Sequence, residues 1–383
     1  MPAPALKQNE FPSHAEISID FEKIKQQLEK GYDKPFLILD SEIVRIKARR
    51  FKAAMPRVAP HFAVKSNPDP RILKVLIEEG VGFEIASIAE LDLLLGLGVK
   101  AEEIYYSNPI KSRRYIEYAA KKGVEWYVLD SIEELRKIVS VKQDAKLYLR
   151  VDTSNVGSDW PLGGKFGAYA GEVDEIIIEA ARLGADLAGI TFHVGSQCRN
   201  PENWRIGIRR AKEVFAAMKA AGLNPRLLNL GGGYPVQHVK PIPSIELIGE
   251  IVNESIADLP DMRIMAEPGR YLVSDAGCFV CQVIGTATRS EKKWIYWDAG
   301  IFGGVIETTG GLHYRIETDR QGKPVPWSVA GPTCDSVDIV MKDEMLPEDL
   351  QEGDFVYLVN AGAYTTAYAS NFNGFPLPDV FVV

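Results

Sequence analysis

The chain has 383 residues, of which 46% are hydrophobic and 25% charged. This balance is typical of folded globular proteins and excludes a disordered or collagen-like chain. The 44 basic and 52 acidic residues give a net charge of −8, which opposes nonspecific binding to nucleic acid or to anionic lipid. No apolar run approaches the roughly 18 residues of a membrane span, and the first residues, MPAPALKQNEF, lack the basic and apolar segments of a secretory signal. The sequence therefore predicts a cytoplasmic protein without a nucleic-acid or membrane partner.

Four cysteines, Cys198, Cys278, Cys281 and Cys334, are too few for a disulfide scaffold in a chain of this length, so we expect them to be thiols. Cys278 and Cys281 have a CxxC spacing, but no second pair completes a tetrahedral metal site. On a strand, two residues three positions apart point to opposite faces. We expect both to be core residues and predict no metal site.

Short apolar runs recur between residue 60 and residue 270, and a stretch of helical periodicity follows each of them. The eight runs lie at residues 61–67, 81–87, 103–109, 125–131, 146–152, 188–195, 226–233 and 263–269. Parallel strands need a crossover each time, so eight strands that alternate with helices predict a (β/α)8 barrel of the α/β class. We place this barrel at residues 36–272 and predict a lead-in strand at residues 35–40.

After residue 270 the pattern changes to alternating, β-rich segments with turn signals between them, as in Arg-Gln-Gly-Lys-Pro at residues 320–324. This pattern predicts a second, antiparallel β domain at residues 273–383. Residues 1–35 precede the barrel pattern and are expected to join this β domain.

Polar or glycine residues come directly after the apolar runs, where the carboxyl ends of the strands meet at one rim. They are Lys65, Ser87, Asn108, Arg150, His193, Gly231 to Gly233, Glu267 and Arg270. Active sites of such barrels are built at this rim. Strands often end at a polar residue, which accounts for some members of this set. It does not account for Lys, Arg, His and Glu side chains that all lie at the same rim.

Lys65 ends an apolar strand, where a charged amine is costly unless it is paired or neutralised. An amine with a depressed pKa can form a Schiff base with the aldehyde of pyridoxal phosphate, although a solvated surface lysine is the commoner case. The three glycines at 231–233 leave backbone N–H groups open to a phosphate, or simply form a tight turn. Two interpretations are open for Glu267 and Arg270. They form a salt bridge at the rim, or Glu267 binds a pyridine nitrogen and Arg270 binds a phosphate.

Seven blocks in this order resemble the fold type III pyridoxal-phosphate decarboxylases of basic amino acids, the ornithine and lysine decarboxylases with an alanine-racemase-like barrel. The blocks lie at residues 62–67, 83–90, 192–197, 231–235, 266–270, 331–335 and 362–375. Residues 159–167 are similar to the bacterial branch in particular. The resemblance covers residues 35–383.

The resemblance implies a role for each matched residue. Lys65 would hold the cofactor aldehyde, Glu267 would pair with the ring nitrogen, and His193 would stack on the ring. The phosphate would be bound by Ser196, Gly232, Gly233, Gly269, Arg270 and Tyr364. Arg150 and Glu90 would support the ring and the lysine, and Glu84 stands where the family commonly has aspartate.

The resemblance also implies a homodimer in which the neighbouring subunit completes each active site. Cys334 would reprotonate the substrate carbon after CO2 leaves, and Asp335 would bind the distal ammonium of the substrate. A buried, inert thiol is the ordinary alternative for Cys334. Lys165 and Asp338 are expected to form a charge pair across the same interface.

The substrate is expected to be a small basic amino acid, with ornithine first and lysine or another diamino acid second. Phe372 is expected to contact it. Gly310 and Gly311 stand where the family places a second acid, and Glu307 is either a substitute for that acid or an ordinary exposed residue. A diaminopimelate decarboxylase, a racemase and a non-catalytic homologue are the less favoured alternatives, because this chain has Glu267, Cys334 and Asp335.

Overall fold

A computed structural model describes residues 18–383, and residues 1–17 of the predicted N-terminal segment lie outside the described part. The chain divides into two compact units. In the described part, the first unit comprises Arg45–Pro235 and Ile242–Gly269, and the second comprises residues 18–44, Val236–Pro241 and Arg270–Val383. The first elements in chain order are α1 (Phe21–Leu28), β1 (Phe36–Leu39) and α2 (Ser41–Ala54).

The first unit contains a closed barrel of eight parallel strands, as the sequence predicts. Its strands are β2 (Val58–Ala63), β3 (Gly82–Ile85), β4 (Ile104–Tyr106), β5 (Trp126–Leu129), β6 (Lys146–Arg150), β8 (Asp186–Thr191), β10 (Leu227–Asn229) and β11 (Arg263–Ala266). They follow one another around the barrel in chain order, and β11 closes it on β2. Each strand overlaps one of the eight predicted runs.

Helices connect the barrel strands. They are α3 (Pro70–Glu78), α4 (Ile88–Gly96), α5 (Arg113–Lys122), α6 (Ile132–Val141), α7 (Ala170–Leu183), α8 (Glu202–Ala220) and α9 (Ile245–Ser255). Ser87, Ser131 and Ser244 cap α4, α6 and α9, each accepting a hydrogen bond from the backbone N–H three residues on. Gly123 and Gly184 end α5 and α7 in the left-handed conformation. The serine caps end loops that follow barrel strands, on the side of the rim, whereas the two glycines lie at the opposite end of the barrel.

The barrel interior is filled by side chains and is not a channel. Large aromatic residues on neighbouring strands pack against smaller residues across the barrel. The buried cluster consists of Tyr105, Trp126, Val128, Tyr148, Ala188, Leu227 and Met265.

The second unit is built on an eight-stranded sheet. Besides β1 it contains α10 (Arg270–Val273), β12 (Gly277–Arg289), β13 (Lys292–Trp297), β14 (Arg315–Thr318), β15 (Pro324–Ala330), β16 (Ile339–Pro347), β17 (Phe355–Val359) and β18 (Asp379–Val382). The order is β14-β17-β12-β13-β15-β16, and β1 lies between β12 and β18. The amino-terminal half of β12 pairs with β17 and β1, and its carboxyl-terminal half with β13.

The structure differs from the sequence predictions at three places. β1, predicted as a lead-in strand of the barrel, is a fully buried strand of the second unit's sheet, since a short apolar run does not reveal which sheet it joins. That sheet is mostly antiparallel, but β1 with β18 and β13 with β15 are parallel pairs. Two short strands that the sequence analysis missed, β7 (Ser158–Trp160) and β9 (Ser196–Cys198), pair antiparallel outside the barrel.

All four cysteines are free thiols, as expected, and Cys278 and Cys281 are buried on β12. Between residues 18 and 383, no helix combines the length and the apolar character that crossing a membrane requires.

Candidate active site

Lys65 lies at the carboxyl end of β2, in a single 3-10 turn (Val64–Ser66) that follows the strand. Its Nζ donates a hydrogen bond to Oε1 of Glu84, on β3. The Glu84 side chain is only 1% exposed, and a carboxylate buried so deeply needs a cationic partner. The lysine predicted to hold the cofactor is therefore anchored at the barrel rim by the acid that replaces the family's aspartate.

Glu90 is the second acid near Lys65. It lies in the first turn of α4, where its Oε2 accepts a hydrogen bond of 2.5 Å from the backbone N–H of Ala86. Burial raises the pKa of Glu90; the Ala86 N–H and the charge of Lys65 lower it, while the charge of Glu84 raises it further. Two carboxyl groups and one amine thus share this part of the rim.

Glu267 directly follows β11, and two donors converge on one of its oxygens. Ser107 Oγ, just after β4, donates to Oε1 at 2.6 Å, and Asn229 Nδ2, at the end of β10, donates to the same oxygen at 2.7 Å. Burial raises the pKa of Glu267, and the like charge of Glu84 adds to this rise. The charge of Lys65 and the two hydrogen bonds act in the opposite direction and favour the ionised acid. The neighbours of Glu267 therefore oppose the effect of its burial.

The three glycines after β10 occupy positions where a side chain does not fit. A Cβ at Gly231 or Gly233 would lie 1.9 Å or 2.3 Å from a backbone carbonyl oxygen, and both residues have positive φ angles. A Cβ at Gly232 would lie 3.0 Å from Nε2 of His193. The turn therefore presents bare backbone beside His193. At Gly269 a Cβ would lie 3.1 Å from Ser66, so this glycine lets the segment after β11 approach the lysine turn.

His193 is a neutral imidazole. Its Nδ1 accepts a hydrogen bond of 3.0 Å from the backbone N–H of Gly195, which places the ring proton on Nε2. Burial and the charges of Arg150 and Lys65 hold the pKa of His193 well below its ordinary value. Such a ring can cover an aromatic ligand without adding charge.

Arg150, the last residue of β6, lies with its guanidinium 5.4 Å from the centre of the Phe166 ring. Burial lowers its pKa, while the charges of Glu267, Asp130 and Glu84 raise it. Ser196, also predicted to bind phosphate, begins β9 and pairs with Trp160 of β7. Both residues belong to the barrel unit.

Within the second unit, Arg270 and Tyr364 lie together. The Arg270 guanidinium is 4.9 Å from the centre of the Tyr364 ring, an arrangement that favours a cation–π contact. Tyr364 has a φ of 56°, which is uncommon for a residue other than glycine. Arg270 also donates to Oε1 of Glu307 at 2.5 Å.

Glu307 is 6% exposed, so the expectation of an ordinary exposed acid is wrong. It lies in a 3-10 helix (Ile306–Gly310) that ends at Gly311, which has a φ of 91°. Gly311, which stands where the family places a second acid, therefore ends a turn that favours glycine. The turn buries Glu307 against Arg270 and leaves no acid at the two glycines.

Cys334 is exposed, and the side chain of Asn373 accepts hydrogen bonds from its backbone N–H at 3.1 Å and from its thiol at 3.3 Å. Asp335 Oδ1 accepts from the backbone N–H of Val337. Phe372, next to Asn373, is 40% exposed and packs against Phe302 in a tilted arrangement with 4.5 Å between ring centroids. The structure thus brings the predicted proton donor and one predicted substrate contact onto adjacent surface.

The expected charge pair between Lys165 and Asp338 crosses a subunit interface and stays a prediction. Asp338 is 2% exposed and accepts hydrogen bonds within its own unit from the backbone N–H groups of Ile301 and Thr333 and from the Thr333 hydroxyl. Its carboxylate packs where Cβ atoms at Gly300 and Gly331 would collide with it. Asp338 is therefore a buried structural acid, while Lys165 is exposed.

Four residues of this site were not predicted from the sequence: Ser107, Tyr148, Asn229 and Asn373. Ser107 precedes Asn108, which was identified as a rim residue, and Tyr148 occupies an inward position of β6. Asn373 lies within the matched block at residues 362–375. The position of Ser107 after a strand could have marked it as a rim residue. Its hydrogen-bond partners could not be predicted, because they lie on strands that are distant in sequence.

Comparisons with known proteins agree with this arrangement. The family described as "Pyridoxal-dependent decarboxylase, pyridoxal binding domain" matches residues 41–274, which is 234 of the 383 residues. The ornithine decarboxylase of Panagrellus redivivus is 35% identical to this chain, over 92% of the chain and 86% of its own length.

Two solved structures resemble the whole chain. The arginine decarboxylase of Paramecium bursaria Chlorella virus bound to agmatine has a TM-score of 0.88 at 30% identity, covering 94% of this chain and 100% of that chain. The lysine/ornithine decarboxylase from Vibrio vulnificus complexed with cadaverine has a TM-score of 0.87 at 32% identity, covering 95% and 98%. The resemblance seen in the seven sequence blocks is confirmed, and the chain belongs to the fold type III, pyridoxal-phosphate-dependent decarboxylases of basic amino acids.

Proposed function

We propose that this decarboxylase converts ornithine to putrescine, with lysine as the second candidate substrate. The support from relatives is that similar proteins are named ornithine decarboxylase or lysine/ornithine decarboxylase. The observation that carries the proposal is the arrangement at the barrel rim, where the Lys65 amine is bound to the buried Glu84 and two donors hold one oxygen of the Glu267 carboxyl group.

The barrel residues fit pyridoxal phosphate, which has an aldehyde, a basic ring nitrogen and a phosphate. Lys65 offers an amine for the aldehyde. Both hydrogen bonds to Glu267 go to Oε1, so Oε2 can face the ring nitrogen. Gly232 and Gly233 offer bare backbone that a phosphate can approach.

When bound, pyridoxal phosphate supplies an electron sink for the negative charge left on the substrate carbon as CO2 departs. Glu267 in its ionised form would accept a hydrogen bond from the ring nitrogen and hold a proton there. His193, being neutral, would cover one ring face. Arg150 contributes positive charge near Glu267 and thereby favours the ionised acid. Glu84 and Glu90 hold the amine of Lys65 in place.

For the phosphate we propose Ser196, Gly232, Gly233 and Gly269 from the barrel unit. The family resemblance also assigns the phosphate to Arg270 and Tyr364. Their contact with each other supports this assignment, because the ring holds the guanidinium in one orientation.

We further propose that the enzyme works as a homodimer and that Cys334 and Asp335 act on substrate held by the partner subunit. The Cys334 thiol is at the surface and is oriented by Asn373. Val337 lies near Cys334 in sequence, and Phe372 and Phe375 lie on either side of Asn373. All three are exposed apolar side chains, which are typical of interaction surfaces. Cys334 would deliver a proton to the substrate carbon, and Asp335 would bind the distal ammonium.

The four free thiols support a reducing compartment such as the cytoplasm. We therefore propose a cytoplasmic enzyme of polyamine formation.

The test is CO2 release from ornithine, lysine, arginine and diaminopimelate by the purified holoenzyme. We expect the highest kcat/KM with ornithine and the lowest with diaminopimelate, because the distal carboxylate of diaminopimelate would be repelled by Asp335. Lys65→Ala should abolish release from all four and remove the visible absorbance of the bound cofactor. Release from diaminopimelate alone, or from none of the four by cofactor-loaded protein, would overturn the proposal.

A further inference from the structure

Glu267 lies at the end of a chain of hydrogen bonds that runs through the barrel mouth. The Tyr148 hydroxyl is 2.7 Å from Ser107 Oγ, which in turn is 2.6 Å from Glu267 Oε1. An ionised carboxylate only accepts hydrogen bonds, so the single proton of Ser107 points to Glu267. Tyr148 must then donate to Ser107. The direction of the chain is fixed as long as Glu267 is ionised.

Asn229 is the second donor to Glu267, and its orientation is fixed as well. Its Oδ1 accepts a hydrogen bond of 2.9 Å from the backbone N–H of Gly231, so its amide N–H group must face Glu267. The backbone N–H of Glu267 donates to the carbonyl of Gly231 at 2.8 Å. Glu267 and the glycine turn are therefore connected twice, through the Asn229 side chain and through a backbone hydrogen bond.

The surroundings of Glu267 would otherwise favour a protonated acid. Glu84 is a like charge, and burial penalises the ionised form. The ionisable groups that face Glu267 come from several strands and loops of the barrel unit; they are Lys65, Glu84, Tyr148, Arg150 and Tyr234, with the neutral His193 on the adjacent loop. Of these, only Lys65 and Arg150 supply positive charge.

We propose that Ser107, oriented by Tyr148, and Asn229 are positioning residues that keep Glu267 ionised and direct its Oε2 to the ring nitrogen of bound pyridoxal phosphate. This inference rests on the role proposed for Glu267. Each of the two donors stabilises the ionised carboxylate and neither can accept a proton from it, so together they favour the form that a protonated ring nitrogen needs. By occupying Oε1 they also set which oxygen faces the ligand.

The test uses holoenzyme loaded with pyridoxal phosphate carrying 15N at the ring nitrogen, whose NMR shift reports protonation at that atom. Across a pH series, Ser107→Ala should move the protonation equilibrium of the ring nitrogen about tenfold towards the neutral form, since a hydrogen bond to a charged group is lost. Tyr148→Phe should produce a smaller change in the same direction, and Ser107→Thr should keep the wild-type response. Ser244→Ala is the matched control, because it removes a buried serine hydrogen bond at the start of α9.

The outcomes separate the two proposals. If Glu267→Gln leaves the nitrogen resonance unchanged, the role proposed for Glu267 fails. If Glu267→Gln changes it but Ser107→Ala behaves like Ser244→Ala, the positioning role is overturned and the proposed function stands. Should Ser107→Ala not fold, Tyr148→Phe decides: a shift towards the neutral form supports the inference, and a wild-type titration overturns it.

Discussion

Arg270 and Glu307 form an ion pair inside the second unit, with Nη2 and Oε1 2.5 Å apart and side chains only 5% and 8% exposed. Burial alone would lower the pKa of Arg270, but the charge and hydrogen bond of Glu307 outweigh that effect and raise it. From the sequence, Arg270 was predicted to bind phosphate and Glu307 to bind substrate or lie exposed. The pair shows that Glu307 is not an exposed acid and that its Oε1 is bound to the arginine, while the contact of Glu307 with substrate stays a prediction.

Glu307→Gln should destabilise the protein, because it leaves a buried guanidinium without its counter-charge. Breaking a buried ion pair in this way costs about 3 kcal/mol or more, measurable as the free energy of unfolding in urea. Glu246→Gln is the control, since Glu246 pairs with Arg50 at 2.7 Å on the surface and should cost about 1 kcal/mol or less. Equal effects of the two substitutions would show that the Arg270 pair is not a buried, stabilising contact.

His61 should make the protein sensitive to acid. Burial lowers its pKa to about 4, and the charge of Arg263 adds to this effect, against an ordinary value near 6.5. Between these values the unfolded chain takes up a proton that the folded protein does not. Stability from this group is therefore complete above about pH 6.5 and falls by about 3 kcal/mol as the pH drops to 4.

His61→Phe should remove this part of the acid sensitivity, as measured by unfolding free energies at pH 7 and pH 4. Tyr105→Phe is the matched control, because the Tyr105 ring packs edge-on against His61 at 4.9 Å and the substitution keeps the histidine. An unchanged pH dependence in His61→Phe would contradict the assignment.

The barrel was predictable because its signal is local. Each strand is a short apolar run followed by helical periodicity, and residues such as Lys65, His193 and Glu267 come one or two positions after their strands. The strand β1 was misplaced because Phe36–Leu39 is apolar throughout, and an apolar run fits a barrel and a covered sheet equally well.

The details of the site were not predictable because they join distant segments. Ser107, Tyr148 and Glu267 come from three strands that only barrel closure brings together. Glu307 and Asp338 look like ordinary surface acids in sequence, and their burial depends on glycines and an arginine elsewhere in the chain. Acid-to-base pairing across such distances leaves no periodic pattern in the sequence.

Cys334→Ala should keep the cofactor but lose turnover, because the proposed proton transfer follows cofactor and substrate binding. General acid catalysis contributes about 100-fold or more, so kcat should fall by at least that factor while the visible absorbance of the cofactor remains. Cys198→Ala is the control, because this thiol is buried in the barrel unit; its kcat per holoenzyme should be unchanged. Full activity of Cys334→Ala would refute the role of the thiol.

Mixing Lys65→Ala subunits with Cys334→Ala subunits should restore part of the activity. If each site takes its lysine from one subunit and its thiol from the other, one of the two sites in a hybrid dimer is complete. Mixing Lys65→Ala with Glu267→Ala is the control, because both residues belong to the barrel unit and no hybrid site is complete. Absence of recovery after demonstrated subunit exchange would count against shared sites.

The proposed covalent attachment of the cofactor to Lys65 can be measured by borohydride reduction followed by peptide mass spectrometry. Reduction fixes the pyridoxyl group on the lysine that carries it. We expect a single modified peptide, which contains Lys65. A label on a different lysine, such as the buried Lys111 of the same barrel, or the absence of any label from a cofactor-loaded protein, would contradict it.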